Sequence, residues 1–107
     1  GSAVIRDRKI MASDGILVVI ANLNSKERTL LTKPNITTRG FVLVNENEEL
    51  IRKIEREASN VITETLKDKK ATFTDIKNQL SLDLIPFIMN LTGRRPLILP
   101  IILDIKK

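Results

Sequence analysis

The stretch Gly15-Ile16-Leu17-Val18-Val19-Ile20-Ala21 decides the fold of this chain. It is a continuous apolar run rich in β-branched residues, and the turn-forming residues Asn22, Asn24 and Ser25 follow it. Its length and its boundaries favour a β-strand over a helix. Because the run does not alternate between apolar and polar residues, we expect both faces of the strand to be covered. The stretch is therefore predicted to be the central strand of a small sheet.

The composition is that of one globular domain. Hydrophobic residues make up 42% and charged residues 29% of the 107 residues, a mixture that argues against disorder. Gly1-Ser2 is interpreted as the remnant of a cleaved tag, residues 1–13 as this remnant plus a linker or docking segment from a preceding domain, and residues 14–107 as the domain itself. No membrane-spanning run and no signal peptide are visible, so a cytoplasmic location without membrane contact is expected.

The residue types exclude several kinds of chemistry. The chain contains neither cysteine nor histidine, which excludes disulfides, the usual zinc sites, and the Ser-His and Cys-His nucleophile pairs. Only carboxylates remain as acid, base or metal ligand. Their one cluster, Glu46, Glu48 and Glu49, is explained by the start of a helix, where the dipole favours negative charge. The residues themselves therefore indicate neither an active site nor a cofactor in this chain.

The charge balance leaves two interpretations open. The formal net charge is +5, which is typical of proteins with a nucleic-acid partner. The same balance also occurs in domains whose lysines simply cover the surface. Binding requires that the cations cluster in space, and the sequence alone does not reveal such clustering.

A hairpin is predicted after the central strand. Residues 22–27 have turn composition, and Arg28 to Thr32 are expected to return as an antiparallel strand. Lys33-Pro34-Asn35 should end or bend this strand and place it at an edge, because proline lacks a ladder donor. Gly40 is expected to kink the backbone and to place Phe41 in the core.

The next segment predicts an amphipathic helix. Asn45 and Glu48 resemble a capping box, and the helix should close with the cations of Lys67–Lys70. One face carries the apolar stripe Leu50, Ile51, Ile54, Ala58, Val61, Ile62, Thr65 and Leu66.

A second helix is predicted from Thr72, its capping residue, to Thr92-Gly93. Its inner stripe is expected to comprise Ile76, Leu80, Leu84, Phe87 and Leu91. Leu82, Ile85 and Met89 lie nearly opposite that stripe, so the second half of the helix is apolar on two faces. Pro86 should kink or break the helix near Asp83.

The last apolar run, Leu97 to Ile105, predicts a final strand, and Pro100 places it at a sheet edge or at a bulge. The element order is then strand, strand, helix, helix, strand. This order predicts an α+β fold in which a small three-stranded sheet carries two helices packed on one face.

The chain also carries a set of recognisable motifs. They are Arg6-Asp7-Arg8-Lys9, Ser13-Asp14-Gly15, Lys33-Pro34-Asn35-Ile36, Thr38-Arg39-Gly40-Phe41 and Thr92-Gly93-Arg94-Arg95-Pro96-Leu97-Ile98-Leu99-Pro100. Over nearly the whole chain this set resembles the C-terminal region of bacterial ribonuclease J, a metallo-β-lactamase/β-CASP ribonuclease family. The Arg-Gly-Phe and Arg-Arg-Pro elements are its most specific parts. Asn35 and Pro86 depart from the family pattern and favour the second paralogue of some Gram-positive bacteria.

The resemblance implies a parent enzyme that hydrolyses RNA as an endonuclease and a 5′-to-3′ exonuclease. It also implies zinc or manganese, held by His and Asp of a catalytic core that precedes this domain. None of those ligand motifs lies in this chain, so no residue here inherits a catalytic or metal role. The resemblance further implies that the domain supports oligomerisation, and thereby activity, through a homodimer or a ribonuclease J paralogue, with RNA bound through the parent.

Two functions therefore compete for the isolated chain. The first is assembly, for which the candidate interface residues are Leu82, Ile85, Met89, Leu99, Ile101 and Leu103. The second is an autonomous RNA-binding module of KH-like element order, although the helix connection has no glycine and therefore lacks the GXXG clamp. Its candidate phosphate contacts, which could also serve a neighbouring domain, are Arg94, Arg95, Lys67, Lys69 and Lys70.

Overall fold

The computed structural model describes residues 15–40 and 48–105, which form a mixed four-stranded sheet and two helices. In chain order the elements are β1 (Ile16–Asn24), β2 (Thr29–Leu30), β3 (Asn35–Arg39), α1 (Glu48–Leu66), α2 (Phe73–Thr92) and β4 (Leu97–Asp104). The predicted α+β class is confirmed. The expectations for Phe41 as a core residue and Asn45 as a capping residue lie outside the described residues.

All pairing in the sheet passes through β1, which confirms its prediction as the central strand. β4 runs parallel to β1 along one side, in register from Ile16 opposite Leu97 to Leu23 opposite Asp104. On the other side, β3 pairs antiparallel with the first half of β1 and β2 with its end. Among the described residues β4 has no second neighbour, so it is the edge strand that Pro100 predicted.

The prediction of three strands is wrong, because the chain makes a fourth strand, β3, after Pro34. The hairpin strand is shorter than predicted, since β2 contains only Thr29 and Leu30. Beyond it, the Leu31 amide still donates to the Asn22 carbonyl at 2.9 Å. The chain then leaves β1 around the fully buried Pro34 and rejoins it at Asn35. Proline therefore interrupts the ladder at this point and does not end it.

The core lies between the inner face of the sheet and the two helices. Alternate residues of β1 point into it, and Leu17, Val19, Ala21 and Leu23 are fully buried. The outer-facing residues of β1 are only half-buried. The expectation that both faces of this strand are covered is therefore wrong for the described part of the chain. The apolar run of residues 15–21 has no polar residue on the outer side of the sheet, but buried and half-buried residues alternate along it.

The predicted stripe of α1 is confirmed in its buried members, which are Leu50, Ile54, Ala58, Ile62 and Leu66. The Thr72 hydroxyl accepts from the Asp75 amide at 3.2 Å, and the Asp75 carboxylate accepts from the Thr72 amide at 2.8 Å. This capping box starts α2. Gly93, with a φ of 72°, ends it by donating to the Met89 carbonyl at 2.8 Å.

The structure corrects the predicted break in α2 and one member of its predicted inner stripe. The helix does not break at Pro86, which is exposed and lies inside one continuous element of 20 residues. The Leu82 carbonyl that loses its i+4 donor is on the exposed side of the helix, where water can replace the hydrogen bond. Leu91 is 43% exposed, and Ile88 takes the inner position because the buried residues repeat at every fourth position from Ile76.

A long-range contact that no sequence pattern indicated joins the hairpin to the end of α1. The Arg28 guanidinium donates to the carbonyls of Leu66 at 3.2 Å, Asp68 at 2.6 Å and Ala71 at 3.4 Å. These acceptors lie at the C-terminal end of α1 and in the loop after it, where carbonyls lack intrahelical partners. Arg28 has a φ of 54°, an uncommon conformation for a residue other than glycine.

Replacing Arg28 with Ala should lower the free energy of unfolding by about 1–2 kcal/mol, because hydrogen bonds from a charged donor are lost at a helix end. Urea denaturation measures this change. Lys26→Ala, in the same turn, is the matched control and should leave the midpoint within error. Equal midpoints for both variants would contradict a stabilising role for the guanidinium.

Candidate assembly surface and charged sites

The outer side of the sheet carries a continuous apolar surface. Within the pairing of β1 and β4, Ile16 lies opposite Leu97, Val18 opposite Leu99, and Ile20 opposite Ile101. Leu99, Ile101 and Leu103 are 40%, 42% and 44% exposed, whereas their β1 neighbours are half-buried. We call the set Ile16, Val18, Ile20, Leu99, Ile101 and Leu103 the outer sheet face. Both helices lie on the opposite side, so no described residue covers this face.

A polar strip borders the outer sheet face. In the antiparallel register, Ile20 pairs with Asn35, Val18 with Thr37 and Ile16 with Arg39. These three β3 residues are exposed and share the outer side of the sheet. The surface therefore has an apolar centre and a polar margin along β3, which is the anatomy of many protein–protein interfaces.

The helix residues of the predicted interface are placed differently. Leu82 is 68% and Met89 is 44% exposed, but Ile85 is half-buried and packs against the core. Because α2 packs on the inner side of the sheet, the solvent-exposed side of α2 and the outer sheet face lie on opposite surfaces of the domain. One two-fold contact cannot use both surfaces. The structure thus separates the six candidate residues into two groups.

The hairpin turn is locked to the end of β4. The amide and the hydroxyl of Ser25 donate to the two carboxylate oxygens of Asp104 at 3.0 Å and 2.7 Å. The Ile105 amide donates to the Leu23 carbonyl at 2.7 Å. These contacts, which the sequence did not indicate, hold β4 against β1 at the end where Leu103 is exposed.

The predicted basic contacts do not form one patch. Lys67, Lys69 and Lys70 precede α2, whereas Arg94 and Arg95 follow it. The 20-residue helix spans about 30 Å at 1.5 Å per residue. Lys67 also forms a salt bridge with Glu64, with 3.3 Å between Nζ and Oε2. A single phosphate group therefore cannot contact both clusters.

A carboxyl pair lies between the two helices. Hydrogen bonding to Asp83, followed by burial and by the charge of Asp83, raises the pKa of Glu57 from 4.5 to about 7. When both groups are ionised there is no donor between them, and the buried Asp83 Oδ2 has no hydrogen-bond partner among the described residues. A proton on Glu57 would supply a donor for that oxygen. Glu64 is the other titratable residue in this cleft, beside Asn60 and Gln79.

Two further observations concern metals and membranes. Within residues 15–40 and 48–105, no group of three or more His, Cys, Asp or Glu side chains is arranged to hold a metal ion. No helix in the same part of the chain has the length and apolarity needed to cross a membrane.

The fold is a small two-layer α+β domain with one sheet face left apolar and open in its described part. The family described as Ribonuclease J C-terminal domain matches residues 3–105. The chain belongs to this family, which confirms the resemblance found in its motifs.

Curated relatives agree with the family. The chain is 35% identical over 105 residues to Ribonuclease J 2 of Staphylococcus epidermidis (strain RP62A) and 34% identical over 105 residues to Ribonuclease J 2 of Staphylococcus aureus (strain NCTC 8325). Each match covers 98% of this chain and 19% of the relative. The chain thus spans about one fifth of the length of these relatives.

The Glu57–Asp83 pair predicts a pH dependence of stability. Because the folded-state pKa of Glu57 is raised to about 7, the contribution of its proton to stability is complete below pH 4.5 and is lost as the pH rises to about 7. Asp83→Asn removes the main cause of the raised pKa. This variant should therefore lose less stability across that window than the unmodified chain, as measured by urea denaturation at several pH values. A control is Asp75→Asn, in the capping box of the same helix, which should keep the original slope. An unchanged slope in Asp83→Asn would contradict the shared proton.

Proposed function

We propose that this chain is a non-catalytic assembly domain of a ribonuclease J-type enzyme, and that it acts by self-association through the outer sheet face. The observation that carries the proposal is the row of exposed Leu99, Ile101 and Leu103, of which Leu99 and Ile101 lie beside the apolar residues Val18 and Ile20 of β1. The largest contiguous apolar patch on a soluble protein is often an interaction site.

The parent enzyme is the second part of the proposal. Family membership and the name of the relatives support a parent that hydrolyses RNA. We infer that its metals, zinc or manganese, are held outside this chain, because the chain contains no His or Cys. Asn35, Pro86 and the name of both relatives favour the second paralogue. A cytoplasmic location suits a cysteine-free ribonuclease.

The partner that we propose for the outer sheet face is a second copy of this chain. A two-fold axis through the outer sheet face would place apolar residues of one copy against apolar residues of the other, with the β3 strips at the margin. Closed two-fold dimers are the commonest oligomers, and two sheets pack readily face to face. Contact with a paralogue through the same face is the heteromeric form of this arrangement.

The size of the surface limits its affinity. A strand of eight residues is about 26 Å long at 3.3 Å per residue, and three strands about 4.8 Å apart are about 14 Å wide. The outer sheet face together with its β3 margin is then on the order of 400 Å² per copy, about half of the ~800 Å² that each partner of a standard interface buries. Self-association of the chain alone should therefore be weak and concentration-dependent, with the parent adding further contacts.

Ile101→Glu tests the surface. The change places a charge at the centre of the outer sheet face without entering the core, because Ile101 is 42% exposed. An uncompensated buried charge costs about 3–5 kcal/mol, so the dimer should weaken at least about 100-fold. Sedimentation velocity over a concentration series measures this, and urea denaturation should show a nearly unchanged fold.

Leu82→Glu is the matched control, since Leu82 is exposed on the opposite layer of the sandwich. It should leave self-association unchanged. If Leu82→Glu abolishes the dimer and Ile101→Glu does not, assembly uses α2 instead. A monomer at every concentration of the unmodified chain would contradict self-association of this domain and assign the outer sheet face to the catalytic body of the parent.

The isolated chain should show no ribonuclease activity, with or without added manganese or zinc. It lacks His and Cys, and its described residues contain no group of ligands for a metal. Release of nucleotides from end-labelled RNA measures turnover. Activity that co-purifies with the chain and is lost in a variant of one of its own carboxylates would refute the non-catalytic role.

A further inference from the structure

A basic cleft lies between the β2–β3 loop and α1, away from the outer sheet face. Its volume is about 220 Å³, and it is lined by Lys33, Arg52, Glu55, Arg56, Ser59 and Asn60. Lys33 belongs to the loop that Pro34 creates, and the other five residues lie on one side of α1. Three cations and one carboxylate give the lining a formal charge of +2, and two neutral side chains add hydrogen-bond donors.

The charge of Arg56 has no evident role in stabilising the fold. Its helix neighbours at three and four positions are Arg52, Lys53, Ser59 and Asn60, so none of these neighbours is a carboxylate that could pair with it. Like charges at this spacing destabilise a helix. Arg52, by contrast, contacts Glu48 at 3.6 Å. Among the described residues, neither Arg56 nor Lys33 forms a salt bridge with an acidic side chain.

We propose that this cleft binds phosphate groups of single-stranded RNA. The guanidinium of Arg56 presents a planar fork that matches two phosphate oxygens, and Lys33 supplies a point charge from the opposite wall. The Ser59 hydroxyl and the Asn60 amide are donors of the kind that position a nucleic-acid backbone. The RNA identity of the ligand rests on the proposed ribonuclease parent.

The composition of the cleft also defines the kind of binding. None of its six lining residues is aromatic, so stacking of bases on an aromatic ring is not available there. Contacts to phosphate carry no sequence information. The site therefore holds the RNA backbone without selecting bases, and its affinity depends strongly on salt.

The test is the binding of a fluorescently labelled oligouridine to the chain, followed by anisotropy over a series of salt concentrations. The test variant is Lys33→Gln with Arg56→Gln, and the control is Lys26→Gln with Lys77→Gln. All four residues are exposed, and the two pairs remove the same charge. For a single strand the salt slope changes by about 0.7 for each phosphate contact. The test variant should therefore lose about 1.4 from the slope, whereas the control keeps it.

Four outcomes would overturn the proposal. They are no RNA binding by the unmodified chain at low salt, an equal loss of slope in both variants, displacement of RNA by uridine monophosphate at equal phosphate concentration, and equal displacement by polyglutamate. The third would assign the cleft to small phosphate compounds and the fourth to an acidic protein.

NMR spectroscopy of the unmodified chain identifies the residues that contact the RNA. In NMR spectra of the chain with the same oligouridine, the side-chain Nε–H signal of Arg56 and the amides of Ser59 and Asn60 should shift first. Shifts that begin instead at Arg94 and Arg95, or at Lys67–Lys70, would overturn the assignment to this cleft. Sedimentation of the same samples reports self-association separately, so a failure of RNA binding is distinguished from a failure of the proposed assembly.

Discussion

The domain depends on the hydrogen bonding of β1 along both of its sides, and this begins at Gly15. The Gly15 carbonyl accepts from the Leu97 amide at 2.9 Å, which sets the register of β4. On the other side, a Cβ at Gly15 would lie 2.5 Å from the Arg39 carbonyl oxygen. Only glycine permits this approach, and its φ of 83° is also one that other residues avoid. β1 is thus held between β3 and β4, and in the resulting sheet the inner face packs against the helices whereas the outer face is left apolar.

Local patterns predicted those parts of the fold that local physics controls. Leu50, Ile54, Ala58 and Ile62 recur at every fourth position, and this spacing defines the buried stripe of a helix whatever element packs against it. What the sequence could not predict depends on contacts between distant residues. Pro34 ends a strand in isolation, and only the exposed ladder of β1 allows pairing to resume as β3. Arg28 reaches carbonyls 38 to 43 positions away, which no periodicity encodes.

The sequence identified many residues of the candidate surfaces, but it did not predict where in the fold these residues would lie. The sequence identified Leu99, Ile101 and Leu103 as surplus apolar residues, and the sheet collects them on one face. It could not separate Ile85 from Leu82, because a helix with two apolar sides offers more than one way to face the core. It also missed the cleft of Lys33 and Arg56, which are 23 positions apart and meet only when α1 packs beside the strand edge.

The two proposed surfaces are compatible, and together they link assembly to RNA retention. The cleft lies beside the β2–β3 edge, and the outer sheet face lies on the side opposite the helices, so one does not block the other. A dimer formed through the outer sheet face carries two clefts. RNA held in one cleft then meets the second at a high effective concentration, which raises the overall affinity without any new contact. A domain with a small apolar interface and a weak phosphate site would thus assist a ribonuclease through the combination, because each weak contact makes the other more effective.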